Sequence, residues 1–379
     1  MIHDKQLTVA KIIKTDLISF ESLFVQPFVA IGGLVNKIII FLESSGKDKI
    51  DKISGTKVYY SPIKSRKDLK KQAQWVAEIL KKENVDIIHC EQHSPTVIGV
   101  KAKKIAGTKY LFTNVHGNNM ARGFSRQLFY RLNKKHITKV IACSEFVKQN
   151  VLETFPGYTK DKIITLPNGI DLEKFNATSV SKDQVLKLKD NLGLKSNEKM
   201  FLSTCRLSPD KNLNLLFNAF AKVCKNNDKI KLFIAGKGRL EKELKDLIIS
   251  LDMKKKITLL GFRTDIKELL SACDCFILPS RREGFCLSAV EAAALGKPVI
   301  FTDTGIGREL LLDIAPDFLL PPNEEKAIEF ALLKFLSLTK VEINDFSRNI
   351  SRKVENRYSY EKLTLKTEKL YINTKKNIP

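Results

Sequence analysis

Glu283 and Glu291 stand eight positions apart in the segment Pro279-Ser-Arg-Arg-Glu283-Gly-Phe-Cys-Leu-Ser-Ala-Val-Glu291-Ala292. Upstream, Asp274 to Leu278 reads as a short buried strand. Downstream, Leu287 to Leu295 reads as an Ala- and Leu-rich helix closed by Gly296, with Pro298 beyond it. The residues between form a strand-to-helix turn, where Gly284 admits close backbone approach and the first-turn N–H groups, from Gly284 through Phe285 and Cys286 to Leu287, lack intrahelical partners. Such a turn is an anion site. Carboxylates do not bind phosphate but accept hydroxyl protons well, so the pair predicts a diphosphate with a sugar on either side. Glu283 is expected to hold a transferred sugar and Glu291 a ribose. Two glutamates so spaced also occur on ordinary solvated helix edges, so the rest of the chain has to decide.

Upstream of this segment, the strand Lys199 to Thr204 runs into Cys205-Arg206-Leu-Ser-Pro209-Asp-Lys211-Asn, which sets a guanidinium and an ammonium five apart across a loop entering a helix. Arg offers a two-pronged fork and Lys a point charge. Together they suit a diphosphate and the charge that builds on it as it leaves. On its own the motif is equally a pair of surface cations. Two further strands end in Gly236-Lys237-Gly238-Arg239 and Gly261-Phe262-Arg263, carrying glycines and cations toward the same edge, without the full fingerprint of a dinucleotide site.

Short apolar runs recur at Thr8 to Ile13, Lys37 to Leu42, Val85 to His89, Tyr110 to Val115, Lys139 to Cys143 and Ile163 to Leu166. A second series comprises Lys199 to Thr204, Ile230 to Ala235, Ile257 to Leu260, Asp274 to Leu278 and Pro298 to Thr302. Helical patterns intervene, as in Asn212 to Cys224. Alternation of this kind gives parallel sheets, so the expected fold is α/β, with two Rossmann-like doubly wound domains facing across a cleft. The expected boundaries are residues 1–172 for an acceptor-binding domain and 173–354 for a donor-binding domain. Residues 355–379 form a helix too polar for a core that packs back on the first domain.

A chain of 379 residues, 43% hydrophobic and 28% charged, describes a globular protein. Seven cysteines without C-x-x-C spacing argue against disulfides and a zinc site, and a start of Met1-Ile-His-Asp-Lys5 lacks the pattern of a signal peptide; cytoplasm is the expected compartment. Residues 23–42 are apolar but broken by Pro27, Gly32-Gly33 and Lys37, so they read as a helix, a glycine turn and a strand rather than a membrane span. Net charge is +23, and residues 1–172 carry 28 basic against 15 acidic side chains. No acidic residue falls between Gln92 and Ser144, so something anionic is expected to dock there. Within that stretch Phe124, Leu128 and Leu132 follow a spacing of four among arginines and lysines. Two arrangements satisfy this pattern: a helix lying on an anionic bilayer, or one whose apolar side packs on its own sheet.

Taken together, these segments resemble the retaining GT-B glycosyltransferases of family four. The carriers, in order, are Val85-Asp-Ile-Ile-His89, Asn114-Val-His116-Gly117, Ala142-Cys-Ser144-Glu145, Pro167-Asn168-Gly169-Ile-Asp171-Leu-Glu-Lys-Phe175, Arg206 with Lys211, Gly236-Lys-Gly238, Gly261-Phe262, Pro279-Ser280, Glu283 with Glu291, and Gly305-Ile-Gly-Arg-Glu309. The resemblance implies metal-independent transfer of a sugar, with retention, from a nucleoside diphosphate donor, UDP ahead of GDP, with no cofactor. By the same analogy Arg206 and Lys211 neutralise the diphosphate and Glu283 with Gly284, Phe285, Cys286 and Leu287 seats sugar and phosphate. Glu291 takes the ribose, Arg263 lies by the base, and His116 reaches in from the first domain to the sugar or the acceptor. The acceptor is expected to be a saccharide or lipid-linked saccharide of surface polysaccharide, lipopolysaccharide or glycolipid synthesis, met peripherally at the inner face of the cytoplasmic membrane. No protein nucleophile is assigned; Glu283 in that role competes, but a carboxylate beside a diphosphate at a helix start is better placed to bind. The family's glycine pair after the first strand is missing here, so either the loop Lys14 to Ser22 is shaped for an unusual acceptor or the first strand lies elsewhere.

Two other readings compete. A nucleotide-sugar epimerase or phosphorylase on the same fold would draw acid and base groups from His89, Glu91 and His93. A nucleic-acid-binding protein is suggested by charge alone, and the basic stretch lacks interleaved stacking aromatics and any recognition motif.

Overall fold

The computed structural model describes residues 6–15, 24–43, 53–63, 68–117, 120 and 122–376. The N-terminal Met1 to Lys5 and residues 16–22 of the loop Lys14 to Ser22 lie outside the described residues. The chain forms two compact units, residues 1–169 with 360–379 and residues 170–359.

In the first unit, seven parallel strands lie in the order β3-β2-β1-β4-β5-β6-β7. They are β1 (Leu7–Thr15), β2 (Val35–Glu43), β3 (Thr56–Tyr60), β4 (Ile87–Glu91), β5 (Tyr110–Val115), β6 (Lys139–Ala142) and β7 (Ile163–Thr165). The central strands are apolar on both faces because helices cover both sides of the sheet. The exceptions include Lys11 in the middle of β1, 6% exposed, and His89 and Glu91 on β4. Residues 23–42 fold as the sequence suggests: a short helix Gln26–Val29, a turn at Gly32-Gly33, then β2. Lys37 Nζ donates to the carbonyls of Val29 and Ile31, both at 2.7 Å, and so closes that helix.

The C-terminal helix Tyr360–Lys376 belongs to this unit. Its polar composition is misleading, because Tyr371 is fully buried in the core, its ring parallel to that of Phe112 with centroids 6.0 Å apart. A helix that contributes one large aromatic and a few back-bonded threonines to a core needs few other apolar side chains.

The second unit holds six parallel strands in the order β10-β9-β8-β11-β12-β13. They are β8 (Lys199–Thr204), β9 (Ile230–Ala235), β10 (Ile257–Gly261), β11 (Cys275–Leu278), β12 (Val299–Thr302) and β13 (Leu319–Leu320). Each sheet reverses its strand order once, between β1 and β4 and between β8 and β11, and ligands of open α/β sheets bind beyond the strand ends at such a point. The two reversals are built alike. Asp86, just before β4, accepts from the amide of Thr8 at 2.9 Å, and Asp274, just before β11, accepts from the amide of Met200 at 2.7 Å.

In the helix Phe124–Asn133 the stripe Phe124, Leu128 and Leu132 does not pack on its own sheet. The helix's inward residue is Tyr130, fully buried and stacked on Phe155 with centroids 4.1 Å apart. Phe124 is 80% exposed and Leu132 67%, with Leu128 also on the outside. Among the described residues no helix is long and apolar enough to cross a membrane. All seven cysteines are free thiols, five of them buried.

Candidate functional site

In the second unit the loops after β8 and β11 meet at the reversal of strand order. After β8 the chain passes Arg206, whose side chain is exposed, and makes one 3-10 turn at Pro209–Lys211. Asn212 then turns left-handed, with φ 57°, before the helix Leu213–Cys224 begins. Gly236, at the end of β9, fixes the path of this loop: with φ 149° it lies so close that a Cβ would stand 1.8 Å from the Cys205 carbonyl oxygen. Two contacts from Arg281 clasp the loops together. Its amide donates to the Asp210 carbonyl at 2.8 Å, and its Nε to Asn212 Oδ1 at 3.0 Å.

This clasp brings Lys211 onto Glu283, with Nζ 2.6 Å from Oε1 and each side chain 11% exposed. Ser280 Oγ donates to the same oxygen at 2.8 Å. Burial works against the charge of Lys211, but the Glu283 carboxylate outweighs it and leaves the lysine above its ordinary range. The pair is therefore held together before any ligand arrives.

Beyond Glu283 the turn is strained. Cys286 adopts φ 74° and ψ 81°, a left-handed conformation rare for a residue with a side chain, immediately before the helix Leu287–Ala294. No side chain caps that helix and no acidic residue stands in its first turn. Gly305 lies beneath the turn, where a Cβ would stand 2.9 Å from that of Glu283. Phe285 is buried edge-on against Tyr358, and burial pushes the Cys286 thiol up to about 12, the Glu283 carboxylate adding to the shift.

Glu291 occupies the second turn of the helix. Burial pushes its carboxyl up to about 7, partly countered by the Lys174 ammonium. Arg263 forks onto Asp265, with Nε–Oδ1 2.7 Å and NH2–Oδ2 2.5 Å, while the neighbouring Phe262 is 69% exposed. Sequence reasoning gave Ser280 and Lys174 no role beyond the family motifs in which they stand, and it missed Asp265, too common in type to stand out, and the Arg281 clasp, which acts on residues distant in sequence.

His116 belongs to the first unit and follows β5, the strand next to β4 at that sheet's reversal. It joins a buried polar cluster that period-two geometry lays on one sheet face: Lys11 lies beside His89 across β1 and β4, and Glu91 beside Asn114 across β4 and β5. Glu91 is 2.6 Å from Lys11 Nζ and 2.7 Å from His116 Nε2, and it accepts from Asn114 Nδ2 at 3.1 Å. Burial opposes its charge, yet the Lys11 ammonium and His116 together hold it well below the usual carboxylate range. His89 is pushed down to about 4, by burial first and Lys11 second. Among the described residues no three His, Cys, Asp or Glu side chains gather as a metal ion would require.

The chain matches two family models, Glycosyltransferase Family 4 over residues 37–174 and Glycosyl transferases group 1 over residues 185–355. It is 32% identical to an Escherichia coli UDP-Gal:alpha-D-GlcNAc-diphosphoundecaprenol alpha-1,3-galactosyltransferase, over 78% of this chain and 77% of that one. A solved glycosyltransferase from Rickettsia africae is similar in structure (TM-score 0.83, 23% identity, 99% of this chain and 100% of that one). So is the Anabaena protein HepE, solved with UDP and glucose (TM-score 0.80, 19% identity, 97% and 100%). With both reversal points, the paired loops and these likenesses in place, this chain belongs to the glycosyl transferases group 1, family 4, and is a glycosyltransferase of the GT-B fold.

Proposed function

We propose that the enzyme moves a sugar from a uridine diphosphate sugar to a saccharide or lipid-linked saccharide, with retention and without a metal or cofactor, in the synthesis of a surface polysaccharide, lipopolysaccharide or glycolipid. The observation that carries this reading is the Lys211–Glu283 pair, 2.6 Å apart beside an uncapped helix start at a reversal of strand order. An incoming diphosphate gains the Lys211 ammonium, the exposed Arg206 guanidinium and the amides from Gly284 to Leu287. These are the groups that stabilise it as a leaving group, in the role a divalent cation would otherwise fill. The carboxylate oxygens of Glu283, already accepting from Lys211 and Ser280, suit the hydroxyls of the transferred sugar, and Glu291 those of the ribose. The exposed Phe262 ring offers a stacking surface for the base, with Arg263 beside it braced by Asp265. His116 takes a hydroxyl of the bound saccharide. A UDP donor and an undecaprenol-linked acceptor are supported by the name of the Escherichia coli relative, and UDP also by its presence in HepE.

The same proposal places the enzyme at an anionic membrane surface in the cytoplasm. The apolar residues exposed on helix Phe124–Asn133 stand among Arg122, Arg126, Arg131 and Lys135 in a stretch without acidic residues, which is the composition of a helix that lies in a charged lipid interface.

Thermal unfolding of the wild type and Glu291→Ala, with UDP, GDP and their sugar conjugates in the presence of a chelator, tests the donor. A ligand at 100 times its Kd adds about 2.7 kcal/mol. A rise in Tm with uridine nucleotides that the variant loses supports the assignment; no shift with any nucleotide overturns it.

A further inference from the structure

The polar cluster of the first unit fixes a proton. Glu91, 1% exposed and ionised, can only accept, so the hydrogen between the two side chains sits on His116 Nε2, 2.7 Å from the carboxylate. Every other hydrogen in the cluster has one place as well. The Tyr371 hydroxyl bonds His89 Nδ1, His89 Nε2 lies 2.8 Å from Asn114 Oδ1, and Asn114 Nδ2 donates to Glu91. With His89 neutral, the hydrogens run in one direction, from Tyr371 through His89 and Asn114 to Glu91. Lys11 supplies the counter-charge, so His116 faces an ion pair and not a bare anion. The Phe24 ring, its centroid 4.7 Å from that of His116, restricts the imidazole. One atom stands outside this order. Nδ1 of His116 is buried and has no hydrogen-bond partner among the described residues, which a native structure rarely leaves without a use. His116 and Glu91 also line a cavity of about 30 Å³ within this unit, shared with Lys11, Asn114 and Asn168.

We propose that Glu91 is a positioning residue that holds His116 in the Nε2–H tautomer, so that Nδ1 presents its lone pair to a hydroxyl of the bound saccharide. The inference rests on the role given above to His116, and it makes Nδ1 of that residue a hydrogen-bond acceptor.

Nitrogen-15 NMR of the full chain labelled at histidine tests it without any variant at Glu91, with His116→Gln serving to assign the signal. The expected spectrum shows an unprotonated Nδ1 and a protonated Nε2 for His116 above neutral pH; the opposite tautomer overturns the proposal. In Glu91→Gln both tautomers are expected. Turnover at saturating substrates should fall roughly tenfold to a hundredfold, the range seen when the group orienting a ligating histidine is removed, with UDP affinity within about twofold of wild type. Wild-type turnover in that variant also overturns the proposal. An enzyme that binds no UDP and transfers no sugar overturns the transferase reading instead, whereas an active enzyme with the reversed tautomer overturns this inference alone.

Discussion

Glu291 is a carboxyl whose charge state changes near neutral pH. Burial raises it from 4.5 to about 7, so the folded chain holds a proton there that the unfolded chain has released. Its contribution to stability is full below the unfolded value and is lost as pH rises through about 7. Ribose hydroxyls donate to the ionised form, so UDP binding should tighten between pH 6 and pH 8. The difference between wild type and Glu291→Gln, followed by calorimetry, removes the titration of UDP itself; parallel profiles in the two proteins would contradict this assignment. The Lys211–Glu283 pair gives a second residue-scale test. Lys211→Met strands a buried carboxylate and should cost about 3 kcal/mol, and turnover should fall roughly a hundredfold. Adding Glu283→Gln should restore part of the stability and none of the turnover, read as Tm and rate in a double-mutant cycle. The sequence made both residues visible as candidates, but on separate motifs. It did not show that they bind each other first, because 72 positions of chain lie between them and the Arg281 clasp that joins their loops has no local signature.

Among the elements, the helix Phe124–Asn133 shows what periodicity leaves undecided. Phe124, Leu128 and Leu132 make an apolar stripe, and Phe129 with Tyr130 makes another; spacing alone does not say which turns inward. The buried stacking of Tyr130 on Phe155 settles it. Phe124→Ser with Leu132→Ser should therefore leave Tm nearly unchanged and sharply reduce retention on vesicles containing anionic lipid. Each of Arg126→Gln and Arg131→Gln should weaken retention by about 1 kcal/mol, less at high salt. Retention unaffected by both sets would remove this helix from any membrane contact. Strands β3 and β13 were not legible for a related reason. The first is a half-exposed edge strand that includes two tyrosines and a lysine, and the second spans two residues, so neither carries the apolar run that marks the central strands.

For the whole molecule, alternating strands and helices made the two doubly wound sheets readable, while the likeness of their reversal points was hidden, since Asp86 and Asp274 share a geometric role and almost no flanking sequence. The C-terminal helix was placed by its polarity outside any core, yet Tyr371 lies within one; Tyr371→Ala should cost about 3 kcal/mol of stability, measured by denaturant unfolding.

The free thiols bear on how the intact molecule behaves. Burial pushes Cys205, Cys273 and Cys286 up to about 12 and Cys224 up to about 11, and raises Cys90 and Cys275 well above their ordinary value. Only the thiolate attacks alkylating reagents at a useful rate. At these six of the seven thiols the native enzyme should accordingly react slowly with such reagents near neutral pH, so that labelling there counts molecules that have opened. Modification kinetics then report the opening equilibrium directly, and a bound nucleotide should slow labelling at Cys205 and Cys286, beside the Lys211–Glu283 pair, more than at Cys90 in the other sheet.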